Sequence, residues 1–61
     1  MTYDEAMESA RNGGKVKRER WPAGEYIYYH VNTYVIQYAA GWDNTYVPSE
    51  IDMDETDWAT T

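Results

Sequence analysis

The chain has no cysteine, no phenylalanine and no leucine, and it has a single histidine. Without cysteine, its 61 residues can form neither a disulfide nor a cysteine-ligated zinc site, which are two usual means of stabilising a small domain. A chain this short buries only about 60% of its extended surface, so its core is thin. We therefore expect a single domain over residues 1–61 that associates with further copies of itself.

Long apolar runs are absent as well. No segment approaches the roughly 20 apolar residues that span a bilayer, and the first residues lack the charged and apolar regions of a signal peptide. We therefore expect a cytoplasmic protein with no membrane partner.

Seven tyrosines and three tryptophans supply most of the apolar bulk. Each combines a large apolar area with a polar tip, which suits subunit interfaces and ligand walls better than a dry core. The composition therefore favours a homo-oligomer.

Positive charge is scarce and confined to one segment. Five basic residues face eleven acidic ones, for a net charge of -6, and all five lie between Arg11 and Arg20. Five of the acids lie between Glu50 and Asp57. Nucleic-acid binding needs a basic face, so we do not expect it. The two segments either attract each other, or the basic one binds a phosphate group.

Local patterns predict a helix at the start of the chain. Thr2 and Glu5 have the spacing of a capping box, and Gly13-Gly14 suits the end of a helix. Four apolar residues share one helical face: Tyr3, Ala6, Met7 and Ala10.

Alternating patterns then predict strands, with tight turns at Asn32-Thr33 and over Gly41 to Asn44. The predicted strands are Lys15–Trp21, Glu25–Val31, Thr33–Ala39 and Thr45–Val47. Ser49 is placed to cap a helical turn, with Asp52 in the capping-box position. The predicted fold is α+β: a short N-terminal helix packed on a small antiparallel β-sheet, with a short helical turn near the C-terminus. Both faces of the central hairpin are apolar or aromatic, so a neighbouring subunit is expected to cover one of them.

The sequence gives little support for catalysis or metal binding. His30 is predicted within a strand, and no pattern activates the hydroxyl of Ser9 or Ser49. The carboxylates from Asp52 to Asp57 do not fit the EF-hand spacing and are interpreted as a solvated acidic turn. We expect no enzyme, no metal and no cofactor.

The basic segment is open to two interpretations. Lys17, Arg18 and Arg20 next to Trp21 could pair with a pyrophosphate while the indole stacks on a base. Alternatively, Trp21 closes the core beneath the turn at Pro22.

Two stretches resemble the Thoeris anti-defence 2 family of small phage and prophage proteins. One runs from Ala6 through Lys15-Val16 to Arg20-Trp21, and the other from Tyr46 to Trp58. In that family an aromatic residue precedes Pro-Ser, an Asp follows three residues after the Ser, and Asp-Trp closes the domain. The middle of the chain is not matched, and family members are usually longer in the sheet and carry Leu at several core positions.

The resemblance implies proteins that sequester nucleotide immune signals without cleaving them, in the cytoplasm of an infected bacterial cell. It implies tetramers with interface pockets for signals of the cyclic ADP-ribose type, and for cyclic dinucleotides in some members. By position, the implied ligand contacts are Trp21, Ser49 and Asp52, with Arg18 or Arg20 as phosphate partner.

A different class of function also agrees with the charge. An acidic interaction protein could inhibit a host enzyme by imitating the charge of nucleic acid. The acidic segment from Glu50 to Asp57 favours that alternative, and the basic segment argues against it.

Overall fold

The computed structural model describes residues 1–61 and begins with helix α1, Tyr3–Arg11. The predicted capping box forms, because the Glu5 N–H donates to Thr2 Oγ1 (3.2 Å) and the Thr2 N–H donates to Glu5 Oε1 (2.8 Å). Ala6, Met7 and Ala10 are buried along one side of α1. Their burial confirms the predicted apolar face.

Five strands follow: β1 Val16–Arg18, β2 Tyr26–His30, β3 Thr33–Gln37, β4 Asp43–Thr45 and β5 Trp58–Thr60. A second helix, α2, spans Glu50–Asp54 between β4 and β5. The strands form one antiparallel sheet in the order β4-β3-β2-β1-β5. The fold class is therefore α+β, as predicted.

The core lies between α1 and one face of this sheet. Val16 is paired with Ile27, and Ile27 with Ile36, so their side chains stand side by side on the same face. Trp58 of β5 completes this layer and is only 2% exposed. Trp58 therefore supplies bulk that leucine or phenylalanine would supply in most cores.

No helix covers the opposite face of the sheet, which carries Tyr26, Tyr28 and Gln37. The Tyr26 hydroxyl donates to Gln37 Oε1 (3.0 Å), and the Tyr28 hydroxyl donates to Asp43 Oδ2 (2.6 Å). Both tyrosines are partly buried. The second face is therefore aromatic but bears a network of hydroxyl, amide and carboxylate groups.

All four predicted strands differ from the observed strands at one end or both, and the differences are largest for β1 and β4. β1 is shorter than the predicted Lys15–Trp21, because the chain turns after Arg18 and the Trp21 N–H donates to the Arg18 carbonyl (3.0 Å). β4 begins at Asp43 instead of Thr45, because the Tyr38 N–H donates to the Trp42 carbonyl (2.9 Å) and brings the chain into the sheet earlier.

The C-terminal strand β5 was not predicted at all. It has only three residues and follows an acidic helix, so alternation along the chain gives no signal for it. Its pairing with β1 joins residues some 40 positions apart, with Arg18 opposite Trp58.

The β2–β3 turn consists of Val31 and Asn32 instead of the predicted Asn32-Thr33. Their φ angles are 46° and 63°, as a type I′ turn requires. Valine is β-branched and adopts this region at a cost of roughly 1–2 kcal/mol, whereas asparagine tolerates it. Val31 is 77% exposed, so no packing offsets that cost.

We predict that Val31→Asn raises the free energy of unfolding by about 1 kcal/mol. Urea denaturation at a fixed protein concentration measures the change. Val31→Ala is the matched control, since it removes the branched side chain without supplying one that favours positive φ. Equal gains from the two substitutions would contradict the conformational explanation.

Candidate functional site

The side chain of Arg18 is buried at the end of β1. Alternation along the strand places it on the same face as Val16, and only 4% of it is exposed. A buried guanidinium group is strongly destabilising unless carboxylates surround it. The acidic C-terminal segment supplies those carboxylates.

Three acids contact the Arg18 guanidinium. Its Nε donates to Asp57 Oδ1 (2.7 Å) and its Nη2 donates to Asp57 Oδ2 (3.4 Å), so the ion pair is bidentate. Nη1 donates to Asp52 Oδ1 (3.3 Å), and Glu55 Oε2 lies 3.9 Å from Nη2. The hydrogen bond from Arg18 holds the pKa of Asp57 below its ordinary value of 3.8. The two segments of opposite charge therefore attract each other across the fold, as the sequence allowed.

Asp52 is held from four directions. Besides Arg18, the Tyr46 hydroxyl donates to Asp52 Oδ2 (2.9 Å). Its backbone N–H donates to Ser49 Oγ (3.1 Å), and its carbonyl accepts from Trp58 Nε1 (3.0 Å). Ser49 is therefore the N-cap of α2, as predicted. The reciprocal half of the capping box does not form, because the Asp52 carboxylate points to Arg18 and Tyr46.

Trp21 joins this cluster through Trp58. The two indole rings are 5.5 Å apart between centroids and cross at 75°, and Trp21 remains partly exposed. The backbone at the turn is fixed by Lys17, whose Nζ donates to the Trp21 carbonyl (2.7 Å). Trp21 thus packs against the core and also reaches the surface.

Arg20 differs from Arg18 in being exposed. All ion pairs in the structure involve Arg18, so the guanidinium group of Arg20 has no acidic partner. After the hydrogen bond from Arg18, the charge of Arg20 is a further, smaller cause of the lowered pKa of Asp57.

The structure thus brings four of the five residues implied as ligand contacts into one bonded cluster: Arg18, Ser49 and Asp52 directly, and Trp21 by way of Trp58. Sequence reasoning missed Tyr46 and Asp57 as partners of Asp52 and Arg18. Their roles depend on pairing of β1 with the unpredicted β5. The attraction between the basic and acidic segments was the available signal, but it did not identify the residues.

This cluster does not line a groove within one chain. A groove of about 680 Å³ lies between α1 and the β2–β3 turn, lined by Asp4, Met7, Glu8, Arg11, Asn12, Tyr29, Asn32 and Tyr34. Another of about 370 Å³ lies between the segment that follows α1 and strand β2, lined by Ala10, Gly13, Gly14, Lys15, Tyr26, Tyr28, Tyr29 and Gln37. Neither includes an implied ligand contact.

The side chains considered above for catalysis and metal binding do not form a further site. His30 is exposed at the end of β2, and the hydroxyl of Ser49 is engaged in capping α2. No group of three or more histidine and acidic side chains is arranged to hold a metal ion. Neither helix has the length and apolar character needed to cross a membrane.

A family model for the Thoeris anti-defense 2-like domain matches residues 1–61, the whole chain. Comparison with curated proteins and with solved structures gives no match.

The lowered pKa of Asp57 makes stability depend on pH. In the unfolded chain the carboxyl takes up its proton near pH 3.8, whereas in the folded chain it does so at lower pH. The contribution of this ion pair is therefore complete above that value and is lost as the pH falls through the folded pKa.

We predict that Asp57→Asn lowers the free energy of unfolding at neutral pH and flattens its decline toward about pH 3. Urea denaturation across this pH range measures both effects. Asp54→Asn is the matched control, because Asp54 is an exposed acid of α2 without an ion pair. A decline in Asp57→Asn as steep as that of the control would contradict the assignment.

Proposed function

This chain belongs to the Thoeris anti-defense 2-like family, and from that membership we propose that it binds and sequesters nucleotide immune signals during phage infection. The proposed ligands are signals of the cyclic ADP-ribose type, with cyclic dinucleotides as a further class. The observation that carries the proposal is the family match over the full length of the chain. The proposed place of action is the cytoplasm of the infected bacterial cell.

The mechanism is binding without chemistry. A protein present in excess needs only sufficient affinity to keep the free signal below the threshold of its effector. In support, the hydroxyl of Ser49 accepts a hydrogen bond from the Asp52 amide, and no histidine neighbours it in the bonded cluster. We therefore propose that the ligand is released unchanged.

The proposed binding site consists of Trp21, Ser49 and Asp52, with Arg18 and Arg20 as its cationic residues. An aromatic face suits stacking on a base, and a carboxylate suits ribose hydroxyl groups. Arg20 is the exposed cation of the set and suits a phosphate group.

A second subunit is proposed to complete this site. The cluster lies outside both grooves of the single chain, and the surface around α2 exposes Val47, Ile51 and Met53. Exposed apolar side chains of this kind are characteristic of surfaces that meet a partner. A homo-oligomer, in the family a tetramer, would cover them and enclose the ligand.

The alternative is an acidic protein that inhibits a host enzyme by charge mimicry. The exposed Glu50, Asp54 and Glu55 of the α2 region favour it, in addition to the net charge of -6. Binding by charge mimicry weakens steeply as salt rises, whereas an enclosed, stacked nucleotide responds much less.

We predict that the protein in excess removes cyclic ADP-ribose from solution and that heating releases it with unchanged mass. Calorimetry measures binding, and mass spectrometry of the released ligand tests for turnover. Asp52→Ala is the matched variant: if it stays folded and keeps its oligomeric size, its affinity should fall at least about tenfold, roughly 1.4 kcal/mol.

Two results would contradict this proposal. Conversion of excess ligand to a new product would make the chain an enzyme. Absence of binding to nucleotide signals, together with strongly salt-dependent binding to a host enzyme, would favour charge mimicry.

We also predict a homo-oligomer. Light scattering at micromolar concentration should give a multiple of 7.2 kDa, because the exposed apolar side chains near α2 are then covered. Ile51→Glu should reduce the oligomer to smaller species, whereas Val31→Glu, which changes an exposed valine in the hairpin turn, should not. A monomeric wild-type protein would remove the basis for an interface pocket.

A further inference from the structure

The smaller groove, of about 370 Å³, differs in charge from the rest of the chain. Eleven of the 61 residues are acidic, yet none of them lines this groove, and its one charged residue is Lys15. The Lys15 ammonium lies 4.9 Å from the centre of the Tyr26 ring and makes no ion pair. The groove therefore presents an unpaired positive charge on a protein whose net charge is -6.

Beside this lysine, the edge of β2 lacks a neighbouring strand. The two-residue turn makes the last pair of the hairpin a hydrogen-bonded one, so the main-chain N–H and C=O of Tyr29 point toward the side of β1. β1 begins at Val16, which lies opposite Ile27, so no residue of β1 faces Tyr29. No hydrogen bond from a loop or turn replaces the missing partner. The main chain of Tyr29 therefore keeps a free donor and a free acceptor at the groove that Tyr29 lines.

The glycine pair after α1 keeps this edge open. The Gly13 N–H donates to the Ala10 carbonyl (3.1 Å) and the Gly14 N–H donates to the Ser9 carbonyl (3.0 Å), so the chain turns back toward α1. The φ angle of Gly13 is 98°, which glycine adopts without strain. A Cβ atom on Gly14 would lie only 2.9 Å from the Ser9 carbonyl oxygen. Two residues without side chains therefore hold the segment against the helix and leave space beside Tyr29.

Aromatic rings and an amide form the other wall of the groove. The rings of Tyr26 and Tyr28 lie 6.0 Å apart between centroids and are tilted by 49°. Asp43 accepts a hydrogen bond from the Tyr28 hydroxyl (2.6 Å) but does not line the groove. Gln37 Oε1 accepts from the Tyr26 hydroxyl, which leaves the Gln37 NH₂ group as a further donor. The groove therefore combines flat apolar surface with donors and a cation.

We propose that this groove binds a small planar carboxylate. Lys15 supplies the ion pair, the aromatic part of the ligand lies against the Tyr28 ring, and the Tyr29 N–H supplies a hydrogen bond to the ligand at the open edge of β2. One cation matches the single charge of a carboxylate better than the two charges of a phosphate monoester. The groove contains none of the residues proposed for nucleotide binding, so this inference does not depend on the proposed function.

The test compares three probes of similar size on three proteins. The probes are 2-naphthoate, its neutral analogue 2-naphthamide and the saturated decahydro-2-naphthoate. The proteins are the wild type, Lys15→Gln and the matched control Arg11→Gln, because Arg11 is also an exposed cation over a tyrosine ring but lines the larger groove. Titration of ¹⁵N-labelled protein follows the main-chain N–H signal of Tyr29 and the NH₂ signal of Gln37. Circular dichroism and light scattering establish that each protein is folded and of wild-type size.

For the wild type and Arg11→Gln, we expect 2-naphthoate to shift both signals and to bind more tightly than either of the other probes. In Lys15→Gln, the affinity for 2-naphthoate falls about fivefold at low salt, because an exposed ion pair is lost. The affinity for 2-naphthamide stays the same in all three proteins. The advantage of the carboxylate over the amide therefore disappears only in Lys15→Gln.

Four results would overturn the proposal. An equal preference for the carboxylate in the wild type and Lys15→Gln would remove the ion pair, and equal affinity for the planar and the saturated acid would remove the contact with the ring. Shifts of the Asn32 signal in place of the Tyr29 signal, lost in Arg11→Gln, would assign the ligand to the larger groove, which Asn32 lines. Absence of any shift at millimolar 2-naphthoate would leave the groove without this ligand. The three probes can be compared on the wild type alone, so the proposal is tested even if a variant does not fold.

Discussion

The buried charge of Arg18 is the constraint on which the rest of this structure depends. A guanidinium group that is 4% exposed is tolerated only because the carboxylates of Asp57 and Asp52 accept hydrogen bonds from it. Removing the carboxylates would leave this cation uncompensated inside the protein, which is destabilising, although solvent screens the pair on the side of Asp57, whose side chain is 31% exposed. The attraction therefore favours the return of the C-terminal segment to β1, where β5 pairs with it.

That return also explains how a chain without leucine or phenylalanine builds a core. β5 carries Trp58 into the space beside α1, where it meets Tyr3 at 5.8 Å and Trp21 at 5.5 Å between ring centroids. Edge-to-face contacts of this kind add to the area that each ring buries. The indole N–H is not left unpaired, because the Asp52 carbonyl accepts it. One strand thus supplies the largest core side chain and, through the preceding Asp57, the main partner of Arg18.

The parts that could be predicted from the sequence are those stabilised by local interactions. The α1 capping box needs only Thr2 and Glu5, and the β2–β3 hairpin is encoded by alternation within a dozen residues. The cap at Ser49 is local as well. By contrast, the burial of Arg18 and the role of Tyr46 depend on contacts with residues far along the chain, and a basic strand gives no sign of which cation is buried. The resemblance therefore named four members of the cluster, Arg18, Trp21, Ser49 and Asp52, whereas the parts played by Tyr46 and Asp57 required the fold.

The contacts around Arg18 and Asp52 have two physically distinct consequences. The bonds that neutralise Arg18 stabilise the fold, and they also immobilise the Asp52 carboxylate. Conformational entropy lost during folding is not lost again on binding, so a preorganised acceptor gains affinity without any added contact. Under the proposed function affinity is the whole requirement, because no transition state has to be stabilised. The proposed contact Asp52 lies within the network that stabilises the fold, so loss of binding on its substitution is informative only when the variant remains folded.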